Sequence, residues 1–401
     1  MQSSELASID FALSWQGTQA RHRDRCHFDK VDFWRDLMPG ALGERLAALD
    51  IGEIVTEQFA SGELVPAFRE HELRSVNRSQ IRGRNGMPIE PHAGRFYPRG
   101  LLSGVDGIYP QDTHPFRCLG AGDDSLHVDL NHPLSRNALS VEACVIEQLS
   151  RREERGGRCN DIAADMTENG PGLQDSLRDV ETDFFSGKPF AREDERGDHD
   201  FYAQPRMVDH IDAVARSHIS AIYGNLLSPG MQVLDLMSSC NSHLPRQGTN
   251  QHVTGLGMNN EELRNNPALA ERLVHDLNQN PELPLDDGAF DAVVCTVSVE
   301  YLIHPIEVFR EVARVLKPGA LFVVTFSDRW FPPKVIRLWT ELHPFERLGL
   351  VIEYFRRAGR FANIHTESIR GYTRPADDKY ARLTPHSDPV FAVWGHAAGK
   401  T

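Results

Sequence analysis

Met231-Gln-Val-Leu-Asp-Leu-Met-Ser-Ser-Cys-Asn-Ser-His243, set behind the turn Ser228-Pro-Gly230, opens with a short apolar run that ends at a carboxylate, Asp235. Its apolar residues do not alternate with polar ones, so it reads as a strand buried on both faces, the pattern of a parallel sheet. Working outward, His252-Val-Thr-Gly-Leu-Gly257 is a second such run, followed by Met258-Asn259 and a helix start at Asn260. A third, Arg272-Leu-Val-His-Asp-Leu277, ends on Asp276, and Ala292-Val-Val-Cys-Thr-Val297 is a fourth. Pro305 opens a helix whose apolar positions Val308, Phe309, Val312, Val315 and Leu316 keep helical spacing, with Lys317-Pro-Gly319 expected to stop it. Ala320-Leu-Phe-Val-Val-Thr-Phe326 is the fifth strand. Strands that alternate with helices imply right-handed crossovers, and ligands of such sheets sit beyond the carboxyl ends of the strands.

Three stretches carry a family resemblance: Val233-Leu-Asp-Leu-Met-Ser-Ser239, Leu283-Pro-Leu-Asp-Asp-Gly-Ala-Phe-Asp291 and Glu307-Val-Phe-Arg-Glu-Val-Ala-Arg-Val-Leu-Lys-Pro-Gly319. They resemble the class I S-adenosylmethionine-dependent methyltransferases, type 11 group, over residues 184–398. The resemblance implies an α/β fold with a seven-stranded Rossmann-like sheet, closed by an antiparallel pair at residues 361–369 and 389–395. It also implies S-adenosyl-L-methionine as cofactor, with S-adenosyl-L-homocysteine as product. Carried over by position, the methionine end falls to Asp235, Met237, Ser238 and Ser239, the ribose to Gly257, Met258 and Asn259, and the adenine amine to Asp276 with Leu277; Thr296 completes the cofactor set. The chain departs from the family at two points. Serines stand in the loop where glycines let backbone approach a ligand. Gly257 stands where an acidic residue commonly accepts from the ribose, and Asn259 is the nearest substitute, with fewer acceptor sites than a carboxylate.

Beside these, Cys240 and His243 lie in the loop nearest the transferable methyl. A thiol there is a candidate for soft-atom binding or a transient methyl, activated by a helix N-terminus, and His243 is a candidate general base. Glu300 and Tyr301, with Ser298, follow the fourth strand and are candidates on the acceptor side, Glu300 as a proton acceptor. Ahead of the first strand, Phe201-Tyr-Ala-Gln-Pro-Arg206 leads into a predicted amphipathic helix carrying Val208, Ile211, Val214, Ile219 and Ile222. Tyr202, Arg206 and His210 are candidates to meet an anion, either the cofactor carboxylate or a substrate group, Arg206 by a bidentate contact. The polar stretch 370–388 is expected to border the substrate entrance.

The amino-terminal third reads as mainly β (α+β). Leu126, Val128 and Leu130 alternate with polar residues, as do Val141, Ala143 and Val145, between turn signals at Asn85-Gly86, Gly104, Asp106-Gly107 and Gly120. Phe96-Tyr-Pro-Arg-Gly-Leu-Leu-Ser-Gly-Val-Asp106 and Val128-Asp-Leu-Asn-His-Pro-Leu134 resemble the flap of SlyD-type peptidyl-prolyl isomerases, and Leu42-Gly-Glu-Arg-Leu-Ala-Ala-Leu-Asp-Ile-Gly-Glu53 resembles the FKBP core. That likeness implies a peptide-docking or chaperone-like module, with Phe11, Trp15 and Phe33 as candidates for a proline pocket. The expected organisation is a SlyD/FKBP-like domain at 1–150, a charged, Gly-rich linker at 151–200, clipped by Phe184-Phe185 and Phe190, and a methyltransferase domain at 201–401.

The 401 residues are 40% hydrophobic and 25% charged, enough for two cores. A net charge of −14 speaks against a nonspecific nucleic-acid binder. Apolar runs are too short for a membrane span, and Met1-Gln-Ser-Ser-Glu-Leu6 has neither a basic nor an apolar leader region, so a cytoplasmic protein without a membrane partner is expected. Cys26, Cys118, Cys144, Cys159, Cys240 and Cys295 show no paired spacing, which suggests neither a disulfide framework nor a metal site. The expected function is methyl transfer to a small-molecule acceptor. The alternatives are a protein or peptide methyltransferase whose first domain presents the substrate, and a chaperone-like binding protein that senses the cofactor.

Overall fold

The computed structural model describes residues 6–83, 89–149, 157–168, 170–245 and 250–399. Its contacts divide the chain into one unit of Met1–Gly187 with His343–Gly349 and another of Lys188–Leu342 with Leu350–Thr401. The Asn85-Gly86 turn and the charged run at 151–156 lie outside the described residues.

The first unit is mainly β. Strands β1 (Leu6–Gln16), β2 (Arg21–Asp32), β3 (Ile54–Phe59) and β8 (Leu139–Leu149) form an antiparallel sheet in the order β2-β1-β8-β3. Helix α1 (Leu42–Leu46) buries Leu42 and Leu46 against it. Strands β4 (Leu73–Asn77), β5 (Phe96–Pro98), β6 (Pro115–Ala121) and β7 (Ser125–Asp129) make a second sheet, β4-β7-β6-β5, between β3 and β8 in the chain. Period-two alternation works as expected: Leu126 and Val128 fill the small core with Phe116, and Val141, Ala143 and Val145 face the larger one. Phe11 and Trp15, expected to line an open proline pocket, are instead 1% and 4% exposed within that larger core, and Phe33 packs half-buried against it. Part of the stretch read as a linker is also core. Helix α2 (Ile162–Thr167), capped by Asp161, sends Ile162 and Met166 into the larger cluster, an i,i+4 pair that outweighs the charged composition around it. Phe184 is buried as well.

The second unit holds a seven-stranded sheet. It contains β9 (Gln232–Leu236), β10 (His252–Gly257), β11 (Glu271–Val274), β12 (Phe290–Thr296), β13 (Leu316–Phe326), β14 (Phe361–Arg370) and β15 (Val390–Ala397), ordered β11-β10-β9-β12-β13-β15-β14. All neighbours up to β13 are parallel, and β15 runs antiparallel to both of its partners. Order and direction match the closed seven-stranded sheet expected. Val233, Leu234 and Leu236 are fully buried, because helices cover the sheet. Helix α4 (Ala213–Leu226) contributes Ala215, Ile219 and Ile222 to this core, and α6 (Pro305–Val315), with Pro305 in its first turn, buries Val308, Phe309, Val312 and Val315. Two shorter helices, α3 (Asp198–Tyr202) and α5 (Asn260–Asn265), flank the strand ends.

Four boundaries differ from expectation. Helix α4 begins only at Ala213, since the Asp212 carboxylate accepts from Val214 N and Ala215 N and caps it there; Val208 and Ile211 precede the helix, and Val208 is exposed. Lys317-Pro-Gly319 does not stop α6, which ends at Val315; it forms an irregularity inside β13, where Gly319 takes φ +79° and pairing with β12 skips from Leu316 to Leu321. Strand β11 stops at Val274, so Asp276 lies in the turn beyond it. The 370–388 stretch is not simply a polar rim, because Arg374 is buried and bridges Asp212, Asp378 and Asp388. Among the described residues, no helix is long and apolar enough to cross a membrane.

Candidate active site

One cavity opens at the carboxyl ends of β9, β10 and β12 and beside the turn after β11. Of the residues singled out from the sequence, Asp235, Met237, Ser238, Ser239, Cys240, His243, Gly257, Met258, Asn259, Asp276, Leu277, Thr296, Tyr301, Tyr202, Arg206 and His210 all line it. Glu300 does not. It is fully buried behind the cavity wall, where its backbone carbonyl accepts from Ile336 N.

The loop after β9 is held by side chains rather than by glycine flexibility. Asp235 is 2% exposed and accepts from Ser238 Oγ at 2.5 Å and Ser242 Oγ at 2.6 Å. Burial nonetheless pushes its carboxyl up to about 6, with the two hydroxyl bonds working against the shift. Asn266, also buried, donates to Ser242 Oγ and to the Ser239 carbonyl at 2.9 and 2.8 Å. Ser239 Oγ donates to Glu262 at 2.6 Å. Both serine hydroxyls are therefore committed to carboxylates. The chain turns sharply at Met237, with φ 58°, and Val297, just past β12, takes φ 49°. For a β-branched residue that is a strained conformation, held by the Val297 N to Thr325 O bond of 2.7 Å.

Gly257 has a steric reason. A Cβ on it would sit 2.1 Å from the carbonyl oxygen of Ser238, whose own N–H donates to Leu256 O at 2.8 Å. The loop after β9 lies directly against the end of β10, and no acidic side chain fits there. Asn259 does not take over as acceptor: its oxygen caps α5 through Glu261 N and Glu262 N, and its amide donates to the carbonyls of Tyr202 and Ala203. At the next strand, Asp276 Oδ1 accepts from Asn278 N at 2.9 Å and Gln279 N at 3.2 Å. The Thr296 hydroxyl is bound to Tyr223 at 2.6 Å.

On the opposite wall, the Arg206 guanidinium lies over the rings of Phe201 and Phe331, 4.5 and 5.2 Å from their centroids. Its Nη2 donates to Phe201 O at 3.0 Å, while Nη1 is buried and meets no hydrogen-bond partner among the described residues. The backbone N–H of Arg206 donates to Glu262 at 2.7 Å. Tyr301 is buried, its phenol pushed well up by desolvation, and its oxygen accepts from Phe331 N at 2.8 Å, so the neutral O–H remains a donor. The His210 ring meets Phe331 edge-on at 5.0 Å.

Two chemical expectations change. Residues 237–245 contain no helix, so Cys240 does not itself sit at the start of one; its Sγ makes a weak 3.8 Å contact to Arg206 O. Burial pushes His243 down to about 4, which leaves it neutral at ordinary pH and a feeble base. Glu262, Asn278, Asp198 and Phe331 line the cavity and were not singled out from the sequence. Glu262 was within reach: Asn259-Asn-Glu-Glu262 has the spacing of a capping box, although its carboxylate is spent on Ser239 and Arg206 instead.

Residues 239–324 match a family model described as a methyltransferase domain. Over 144 residues the chain is 32% identical to the ubiquinone/menaquinone biosynthesis C-methyltransferase of Bartonella henselae, covering 34% of this chain and 53% of that protein. It is 30% identical over 125 residues to a sterol 24-C-methyltransferase of Gibberella zeae, covering 28% of this chain and 32% of the relative. The chain thus spans about half the length of the Bartonella relatives it matches, at 53% and 54%. A solved structure from Thermotoga maritima, described as an S-adenosylmethionine-dependent methyltransferase and possible histamine N-methyltransferase, is similar at 14% identity and TM-score 0.35, over 47% of this chain and 90% of that one.

Proposed function

With a methyltransferase domain in the second unit, and S-adenosylmethionine as the cofactor of such domains, we propose that this protein transfers a methyl group to a small-molecule acceptor. The observation that carries the proposal is the gathering of the strand-end residues around one cavity, opposite a buried guanidinium nitrogen that meets no hydrogen-bond partner among the described residues. That nitrogen suits the cofactor carboxylate or an anionic group of the acceptor. The cofactor would be held by the loop 235–239, by the backbone of 257–259 and by Asp276 with Leu277. The absence of a side chain at Gly257 lets that loop pack directly against the end of β10. When bound, the sulfonium supplies an activated methyl. The protein's own part is to align the acceptor and exclude water. The neutral Tyr301 O–H is available to an acceptor oxygen, and the aromatic wall of Tyr202, Tyr301 and Phe331 suits an apolar one. Similar proteins are named as a ubiquinone/menaquinone biosynthesis C-methyltransferase and a sterol 24-C-methyltransferase, which supports an acceptor of that apolar kind.

For the first unit we keep the FKBP/SlyD likeness as a proposal. It is supported by the insertion of the small β4–β7 sheet between two strands of the larger one. The test of turnover is incubation of the full chain with S-adenosylmethionine carrying a deuterated methyl and a small-molecule extract, read by mass spectrometry. The proposal expects the label in a low-molecular-weight product, and label confined to protein would contradict it.

A further inference from the structure

We propose that Asp198 and Asn278 form a positioning pair that fixes the turn presenting Asp276 and Leu277; the inference rests on the cofactor reading above. Asp198 lines the cavity at 5% exposure, yet its acceptor sites are already filled. Oδ1 accepts from Arg192 Nη1 at 2.7 Å and Lys334 Nζ at 3.1 Å. Oδ2 accepts from Arg192 Nη1 at 2.9 Å and Asn278 Nδ2 at 2.7 Å. A carboxylate so occupied is a poor acceptor for a ligand, so it acts through its partners.

Asn278 is the partner that matters. It follows Asp276 and Leu277 directly, and its side chain ties that turn to two other segments, at Asp198 and at 301–303. Nδ2 donates to Asp198 and also to Tyr301 O at 2.9 Å, and Oδ1 accepts from Ile303 N at 2.9 Å. The Asn278 N–H in turn donates to Asp276 Oδ1. Behind Asp198, the fully buried Lys334 also donates to Arg196 O at 2.7 Å and Asp194 O at 3.2 Å, so the segment 194–198 is anchored where it meets Asn278. Buried ion networks of this kind add little net stability over an apolar alternative, and what they contribute here is fixed geometry. Loss of the pair therefore acts on the ligand at the adenine end.

The experiment is calorimetric titration of the full chain with S-adenosylhomocysteine and with adenosine, using native protein, Asn278→Ala, Asp276→Ala and the double variant. Asn278→Ala is expected to weaken both ligands by the same factor, about tenfold. The double variant is expected to bind nearly as well as Asp276→Ala alone, because one residue works through the other. Multiplied losses in the double variant, or unchanged affinity in Asn278→Ala, would overturn the positioning role while leaving the cofactor reading intact. Failure of the native protein to bind either ligand would overturn both. Should Asn278→Ala not fold, Asp198→Asn, which keeps the shape of the side chain, carries the same comparison.

Discussion

Replacing Gly257 by alanine asks whether the loop after β9 and the end of β10 form one packed unit. The added Cβ would stand 2.1 Å from the Ser238 carbonyl oxygen, 3.1 Å from its carbon and 3.2 Å from Leu263 Cδ2. A tolerable carbon–oxygen contact needs roughly another 1 Å of separation, and a close-packed interior has no slack of that size. The carbonyl cannot retreat freely, since the neighbouring Ser238 N–H is bonded to Leu256 O and the Ser238 hydroxyl to Asp235. The structure must then shift at a cost of about 1–3 kcal/mol. For a unit of this size that corresponds to a Tm lower by roughly 3–10 °C. Because the displaced atoms are those of Ser238 in the cavity wall, affinity for S-adenosylhomocysteine should fall by about tenfold or more, the equivalent of roughly 1.4 kcal/mol. Thermal unfolding and calorimetry of the same preparation read the two effects. A Gly257→Ala variant that melts and binds like the native protein would refute the packing argument.

Arg206→Met keeps an apolar stem over the aromatic rings but removes the guanidinium nitrogen that has no hydrogen-bond partner among the described residues; S-adenosylhomocysteine affinity should drop roughly 10–100-fold in calorimetry, with Arg206→Lys restoring little of it. Asp235 holds its proton up to about pH 6 in the fold against 3.8 for an ordinary carboxyl, so the folded chain is the better proton binder between those values and this group's contribution to stability falls as pH rises through them. Relative to Asp235→Asn, the native protein should lose up to about 3 kcal/mol between roughly pH 4 and pH 7, measured by urea unfolding; a constant difference would contradict the raised value. Arg374→Leu strips a buried cationic partner from Asp212 and Asp388, leaving Arg329 on Asp388, and urea unfolding should show a loss of about 3–5 kcal/mol.

The parallel strands were legible because burial on both faces writes itself as mainly apolar runs, and Met231 to Phe326 contains five of them at crossover spacing. β11 was overextended because Asp276 and Leu277 continue its pattern, whereas the turn is set by side-chain bonds from Asp276 to backbone two and three residues on. Such local capping competes with strand pairing and leaves no periodic trace. The start of α4 was misplaced for a similar reason: Val208 and Ile211 have helical spacing, but Asp212 is a strong cap. The strand-end residues to which the resemblance gave cofactor roles do line one cavity, since a parallel sheet brings strand ends together whatever the loops do. Phe331 and Asn278 could not be found that way, because long-range contacts bring their side chains to the wall. Glu300 failed for the opposite reason. It lies next to Tyr301 in the chain, yet a single 3₁₀ turn, Val299–Tyr301, sends one side chain to the cavity and buries the other behind it.

The measurement that bears most directly on the methyltransferase reading is calorimetric titration of the purified full chain with S-adenosylhomocysteine, alongside Asp276→Ala. Asp276 Oδ1 is held by the turn, and Oδ2 is the atom expected to accept from the adenine amine. The account expects saturable, micromolar binding by the native protein and an affinity roughly 10–100-fold weaker in the variant, the loss of one hydrogen bond to a charged group. Absence of binding by the native protein, or equal binding by both, would contradict it.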